Sequence, residues 1–323
     1  MRFPEFTEEW KAEQLDNIAT LSKGIGISKE QLSEDGEPCI LYGELYTKYK
    51  SEIIKQVESK TDINGSKLKR SKANDVIIPC SGETAVDIAT ARCVPFDNIL
   101  FGGDLNVISL HQYDGAFMSY QLNGKRKYDI ARVAQGVSIV HLYGEHLKAI
   151  KTYNPTLPEQ QKIAKLLSLL DDRIDTQNKI IEDLKKLKSA ISERLFKSVK
   201  GFTVLLSDLC DIVKGKQING ENLSDSGNYY VMNGGTEPSG YYDNYNVEAS
   251  TISISEGGNS CGYVQFNTSP FWSGGHCYSI QNIADKVDNM YLYHYLKSNE
   301  DAIMKLRIGS GSVSYTHLRA HET

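Results

Sequence analysis

A chain of 323 residues, 40% hydrophobic and 24% charged, has the make-up of folded protein, with room for two ordinary domains and a connecting element. Its formal net charge of −5 argues against a free-standing, strongly basic nucleic-acid binder, although local basic patches or basic partner subunits still permit DNA. The opening MRFPEFTEEW has neither the basic start nor the apolar core of a secretion signal, and no apolar run approaches the length of a bilayer span; a cytoplasmic protein with no membrane partner is expected.

In chain order, WKAEQLDNIATLSKG (Trp10–Gly24) reads as a short helix or strand leading to a glycine turn. NGSKLKRSKAND follows, with Lys67, Lys69, Arg70 and Lys72 set between turn formers. NDVIIPC (Asn74–Cys80) clusters β-formers and reads as a strand, and GAFMSYQLN (Gly115–Asn123) has helical spacing. NGKRKYD then brings Lys125, Arg126 and Lys127. Beyond a long helix, KGKQING offers Lys214, Lys216 and Gln217, ASTISIS reads as a strand, and DNMYLYHYLKS as a helix. Loops rich in Lys and Arg can neutralise phosphates and set an Arg against guanine, while a solvated charged loop explains any single residue equally well. Aromatics of the second half (Tyr229, Tyr230, Tyr241, Tyr242, Tyr245) read mainly as packing residues. The six cysteines form no CxxC pair and no Cys/His cluster at zinc spacing, so reduced thiols and no metal are expected. His141 and His146 lack a third ligand.

The chain repeats itself. Leu15–Gly43 lies over Leu206–Gly234 at a shift of 191 without a gap, giving nine identities in 29 positions, among them Lys23 with Lys214, Gly24 with Gly215 and Gly43 with Gly234. GGDLNVIS (Gly102–Ser109) resembles GGHCYSIQ (Gly274–Gln281), and AFMSYQLN (Ala116–Asn123) resembles YLYHYLKS (Tyr291–Ser298). The equivalence of Lys23 and Lys214 makes both candidates for a shared role. Two homologous α+β modules are expected, in 1–155 and 201–313, joined by a helix in 156–200.

That helix, LPEQQKIAKLLSLLDDRIDTQNKIIEDLKKLKSAISERLF, starts well: Pro158 sits in the first turn and Glu159 lies at the positive end of the dipole. Ile163, Leu167, Leu170, Ile174, Ile181, Leu184, Ile191 and Leu195 recur in steps of four and three, the spacing of a coiled-coil interface, interrupted at Gln177 and Lys188. A helix about 60 Å long with one apolar stripe needs a partner of similar length. Val313, Ser314, His317 and Leu318 echo Val137, Ser138, His141 and Leu142, but no second PEQQKIA follows. We therefore expect a chain that is incomplete or that completes itself with a second copy, and a tail at 314–323 that is not native.

LPEQQKIAKLLSLLDDRID, the two flanking modules and RFPEFTEEW together resemble the specificity subunit of type I restriction–modification systems. The resemblance implies a non-catalytic subunit with two target-recognition domains, each reading half of a split double-stranded DNA target. Spacer helices form an antiparallel pair that sets the gap. Two methylation subunits modify adenine with S-adenosylmethionine, and restriction/motor subunits add cleavage that uses ATP and Mg. This sequence departs from the pattern by lacking the second spacer helix. No NPPY-type motif is present, NPTL (Asn154–Leu157) being the nearest, and no GxxxxGK[ST] loop appears, which leaves little ground for a self-sufficient enzyme. The remaining alternative is a non-DNA interaction protein with two binding modules on a coiled-coil spacer.

Overall fold

The computed structural model describes residues 3–201 and 204–305. The echo at Val313–Leu318 and the proposed non-native tail lie outside them. The chain forms two compact units, which divide between Asn178 and Lys179, inside the long helix.

In the first unit, in chain order, are strands Lys11–Gln14 (β1), Ala19–Lys23 (β2), Glu37–Ile40 (β3), Lys69–Arg70 (β4), Asp75–Pro79 (β5), Arg92–Val94 (β6), Leu100–Phe101 (β7) and Leu105–Leu110 (β8), then helices Gly115–Asn123 (α1) and Lys127–Val133 (α2), strand Lys151–Asn154 (β9), and the start of helix Leu157–Ser198 (α3). The main sheet is antiparallel in the order β2-β8-β5-β6. NDVIIPC becomes β5, buried on both faces: Val76 and Ile78 point into one core with Met118 and Leu122 of α1, and Ile77 into another with Val107 and Phe101. That alternation is the two-residue period of a strand, here covered on both sides. The ambiguous opening segment holds both of its readings, with β1, one helical turn at Leu15–Ile18, and β2.

The second unit contains Asp211–Lys214 (β10), Tyr229–Met232 (β11), Thr251–Ser255 (β12), Val264–Asn267 (β13), Trp272–Ser273 (β14), Cys277–Gln281 (β15) and helix Asn289–Ser298 (α4). Its main sheet is antiparallel in the order β10-β15-β12-β13. The two sheets match strand for strand and in register. Lys23 faces Asn106 as Lys214 faces Tyr278, and Ile78 faces Asn106 as Ile254 faces Tyr278. Gly24 N–H donates to the Leu105 carbonyl at 2.9 Å, and Gly215 N–H to the Cys277 carbonyl at 2.8 Å. A side chain at Gly24 would collide with the Gly102 carbonyl, and one at Gly215 with the Gly274 carbonyl, so the repeated Lys-Gly is a close backbone approach.

The structure shifts two parts of the sequence alignment by one residue. Ile40 pairs in parallel with Phe101, and Met232 with Ser273, so Ile40 matches Met232 at an offset of 192. The shift of 191 therefore fails before β3, and the identity of Gly43 with Gly234 is one residue out of structural register. The helices slip as well. The Asp114 side chain caps α1 by accepting from Phe117 N–H, and the Asp288 side chain caps α4 by accepting from Tyr291 N–H, both at 2.7 Å. Phe117, not Ala116, thus matches Tyr291, and buried Leu122 matches buried Leu296.

Helix α3 is continuous for 42 residues, about 63 Å at 1.5 Å per residue. Glu159 and Gln160 are buried. Trp10 Nε1 donates to Glu159, and Gln160 Oε1 accepts from Asp114 N–H at 2.9 Å, directly beside the cap of α1. Tyr120 donates to Asp171, and Lys55 pairs with Asp172. Near the other end, Phe196 lies edge-on to Tyr291 and Tyr295 of α4. Ile163 and Leu167 are half-buried. Leu170, Ile174, Ile181, Leu184, Ile191 and Leu195 are exposed, and so are Leu166, Leu169, Ile180 and Leu187, which makes the apolar face wider than one stripe.

Candidate nucleic-acid interface

The basic segment of the first module is not a plain loop. Gly65–Lys67 forms a 3-10 turn capped by Asn64, Lys69 and Arg70 form β4 against β7, and the chain turns at Asn74 (φ 82°) into β5. Arg70 is committed locally, its two terminal nitrogens meeting the two carboxylate oxygens of Glu37 at 2.6 and 3.0 Å. The hydrogen bond from Arg70 holds the Glu37 carboxyl below the ordinary range. The ammonium groups of Lys69 and Lys72 have no hydrogen-bond or ion-pair partner among the described residues. Both line an open groove of about 330 Å³ with Thr20, Ser22, Asn74, Asp75, Ser109 and His111. Thr20 Oγ1 and His111 Nε2 are 2.8 Å apart. The Asp75 carboxylate is buried and accepts from Lys72 N–H at 2.8 Å.

The other basic candidates separate by environment. Lys23, Lys67, Lys125 and Lys216 are exposed and Lys127 is half-buried, all with ammonium groups unpaired among the described residues. Arg126 is largely buried: it pairs with Asp129 at 3.0 Å, and its guanidinium lies 5.2 Å from the centre of the Tyr153 ring. Gln217 donates to the Ile218 carbonyl. Tyr229 packs on Tyr245, Tyr230 stacks on Phe271, and Tyr242 meets Trp272 edge-on, which accounts for most of the second-module aromatics as packing.

Lys214 is also engaged, and its partner gave no sequence signal. Glu256, at the end of β12 and 7% exposed, accepts from Lys214 at 2.7 Å and from Tyr278 at 2.9 Å, with His276 Nδ1 at 3.4 Å. Burial pushes the Glu256 carboxyl upward, but the hydrogen bonds from Lys214 and Tyr278 and the nearby positive charge outweigh it and hold the group below the usual carboxylate value. Burial and Glu256 push the Tyr278 hydroxyl up to about 12. In the first module the place of Glu256 is taken by Cys80, so Lys23, the partner of Lys214 in the repeat, stays free. Sequence reasoning missed Thr20, Ser22 and His111 too, because only the pairing of strands brings them to the groove that Lys69 and Lys72 line. Among the described residues no group of His, Cys, Asp and Glu could hold a metal, and no helix is long and apolar enough to cross a membrane.

Two sister α+β modules, each with basic side chains on turns and strand ends and joined by one long amphipathic helix, define a protein of two repeated modules on a helical spacer. The chain belongs to the type I restriction–modification DNA specificity domain family, whose model matches residues 7–186 and 201–321. It is 23% identical over 208 residues to a putative type I specificity subunit of Mycoplasma genitalium, covering 60% of this chain and 54% of that one. It is 33% identical over 106 residues to a putative type I specificity subunit of Mycoplasma pneumoniae (32% and 28% covered), and 27% identical over 198 residues to the MjaVIII specificity subunit of Methanocaldococcus jannaschii (58% and 42% covered). The matched stretch thus spans about half or less of these relatives. In fold it is similar to the crystal structure of a type I specificity subunit from M. genitalium, with TM-score 0.65, 20% identity, and 94% of this chain and 80% of that one covered. A chain from structural work on complex assembly of the type I system gives TM-score 0.56 at 14% identity, with 98% and 85% covered.

Proposed function

We propose that this chain is a DNA-reading specificity subunit in which each module recognises one half of a bipartite duplex target. The observation that carries the proposal is the repeated fold: the same strand order and register occur before and after one continuous helix, in a chain of the DNA specificity family. A stiff helix fixes half-site spacing, whereas a flexible linker would raise avidity without fixing the gap. The exposed apolar face of α3 pairs with a second long helix. Adenine methylation with S-adenosylmethionine is assigned to two partner methylation subunits, and ATP- and Mg-dependent cleavage to restriction/motor subunits; this chain supplies no chemistry. Free Lys23, Lys67, Lys69, Lys72, Lys125, Lys127 and Lys216 supply phosphate contacts, while Arg70, Arg126 and Lys214 hold the modules' own structure.

The test is a salt titration of duplex DNA binding by the chain with its methylation subunits. Specific binding that weakens linearly on a log–log salt scale supports the reading. Binding that is absent, or indifferent to both sequence and salt, favours a protein or carbohydrate ligand on the same two modules.

A further inference from the structure

The two modules share a fold and differ in charge at one corner. Ser71 N–H donates to the Ile99 carbonyl, and at the same place Val247 N–H donates to the Phe271 carbonyl. Asn74 (φ 82°) and Ser250 (φ 58°) both turn the chain into the central strand. These matches set Lys69 on Tyr245 and Lys72 on Glu248, while the register of β2 and β10 sets Thr20 on Asp211. Where the first module presents two unpaired ammonium groups and a hydroxyl, the second presents two carboxylates, with the Tyr245 hydroxyl donating to Glu248 at 3.3 Å and Asn282 donating to Asp211 at 2.7 Å.

We infer that the groove between β2, the end of β8 and the turn before β5 is a phosphate-binding site belonging to the first module alone, held by Lys69 and Lys72 with the Thr20–His111 pair on its wall. A phosphate group suits it: two ammonium groups without partners among the described residues border the groove, the Thr20 hydroxyl and His111 ring offer further hydrogen bonds, and the Ser22 hydroxyl of the same lining is a buried donor with no partner among the described residues. The one carboxylate in the lining, Asp75, is buried and turned to the Lys72 backbone N–H. The same chemistry fits a backbone phosphodiester of duplex DNA or a free phosphate, and the first source rests on the proposed DNA reading. The second module cannot hold an anion there, so the two half-sites meet different backbone grips despite the shared fold.

Two arms decide the matter. In the first, the complex of full chain and methylation subunits is titrated with duplex DNA at several salt concentrations. K69A/K72A lowers the steepness of the log–log salt slope by about one, as loss of one phosphate contact requires, and E248Q leaves it unchanged. The reverse variant Y245K/E248K steepens it by about one, a gain that misfolding cannot imitate. In the second arm, inorganic phosphate is titrated into the full chain and backbone amide shifts are followed by NMR. Saturable shifts confined to residues 69–75 and the end of β8, abolished in K69A/K72A, support the site even if DNA binding itself fails. Phosphate shifts with an unaltered DNA slope identify a free phosphate as the ligand. An unaltered slope in all variants together with no localised phosphate shift overturns the inference.

Discussion

Glu256 shows how one buried side chain sets a local pH response. Its carboxyl is held below 4.5, the ordinary value, by Lys214, Tyr278 and His276. A group whose folded pKa is depressed adds stability above its unfolded value and loses it as pH falls through the folded value. Hydrogen-exchange protection of β12 and β15, corrected for intrinsic rates, should therefore drop as pH is lowered from 5 towards 3, and Glu256→Gln should flatten that drop; equal pH dependence in both proteins contradicts the assignment. The cysteines offer a second check. All six are buried, and burial pushes Cys39 up to about 11 and Cys93 up to about 12. Since the thiolate is the reactive form, labelling by a thiol reagent at pH 8 should wait for unfolding; prompt reaction of any cysteine in the native chain contradicts this. At this scale the sequence was legible where a residue acts through its neighbours in the chain, as with the Lys-Gly pairs. It was silent where partners come from another strand: nothing near Arg70 announces Glu37, and nothing near Lys214 announces Glu256.

Elements were easier to read, because their signals are periodic. The strands at NDVIIPC and ASTISIS, the two capped helices and the long helix all follow from spacing and turn formers, whereas the one-residue slips before β3 and α1 left no mark in an alignment rich in glycine. The PEQQ segment carries more than a helix start. Gln160 is buried and satisfies the Asp114 N–H, so it locks α3 to the cap of α1. Gln160→Leu should cost about 1–3 kcal/mol in chemical denaturation by leaving that donor unpaired, and a change under about 0.5 kcal/mol, the range of an ordinary surface substitution, argues against the lock. The exposed face behaves in the opposite way. Ile174 and Leu184 are more than half exposed, so Ile174→Asp with Leu184→Asp should leave the stability of the single chain nearly unchanged, within about 0.5 kcal/mol per site. The same pair should abolish any self-association that this helix mediates, read by analytical ultracentrifugation. Unfolding of the single chain, or association that persists, contradicts the assignment of that face to helix pairing.

For the whole molecule, the internal repeat was the sequence feature with the longest reach, since it predicted two related modules before any element was placed, and the strand registers show the same relation in three dimensions. A recognition protein built this way should translate helix length into target spacing. Selection of binding sites from a randomised duplex library, using the complex of this chain with methylation subunits, measures that translation directly. The account predicts two short conserved blocks separated by a constant gap, and a different constant gap after one helical turn is inserted following Gln177. A single block, a variable gap, or a gap indifferent to the insertion contradicts it.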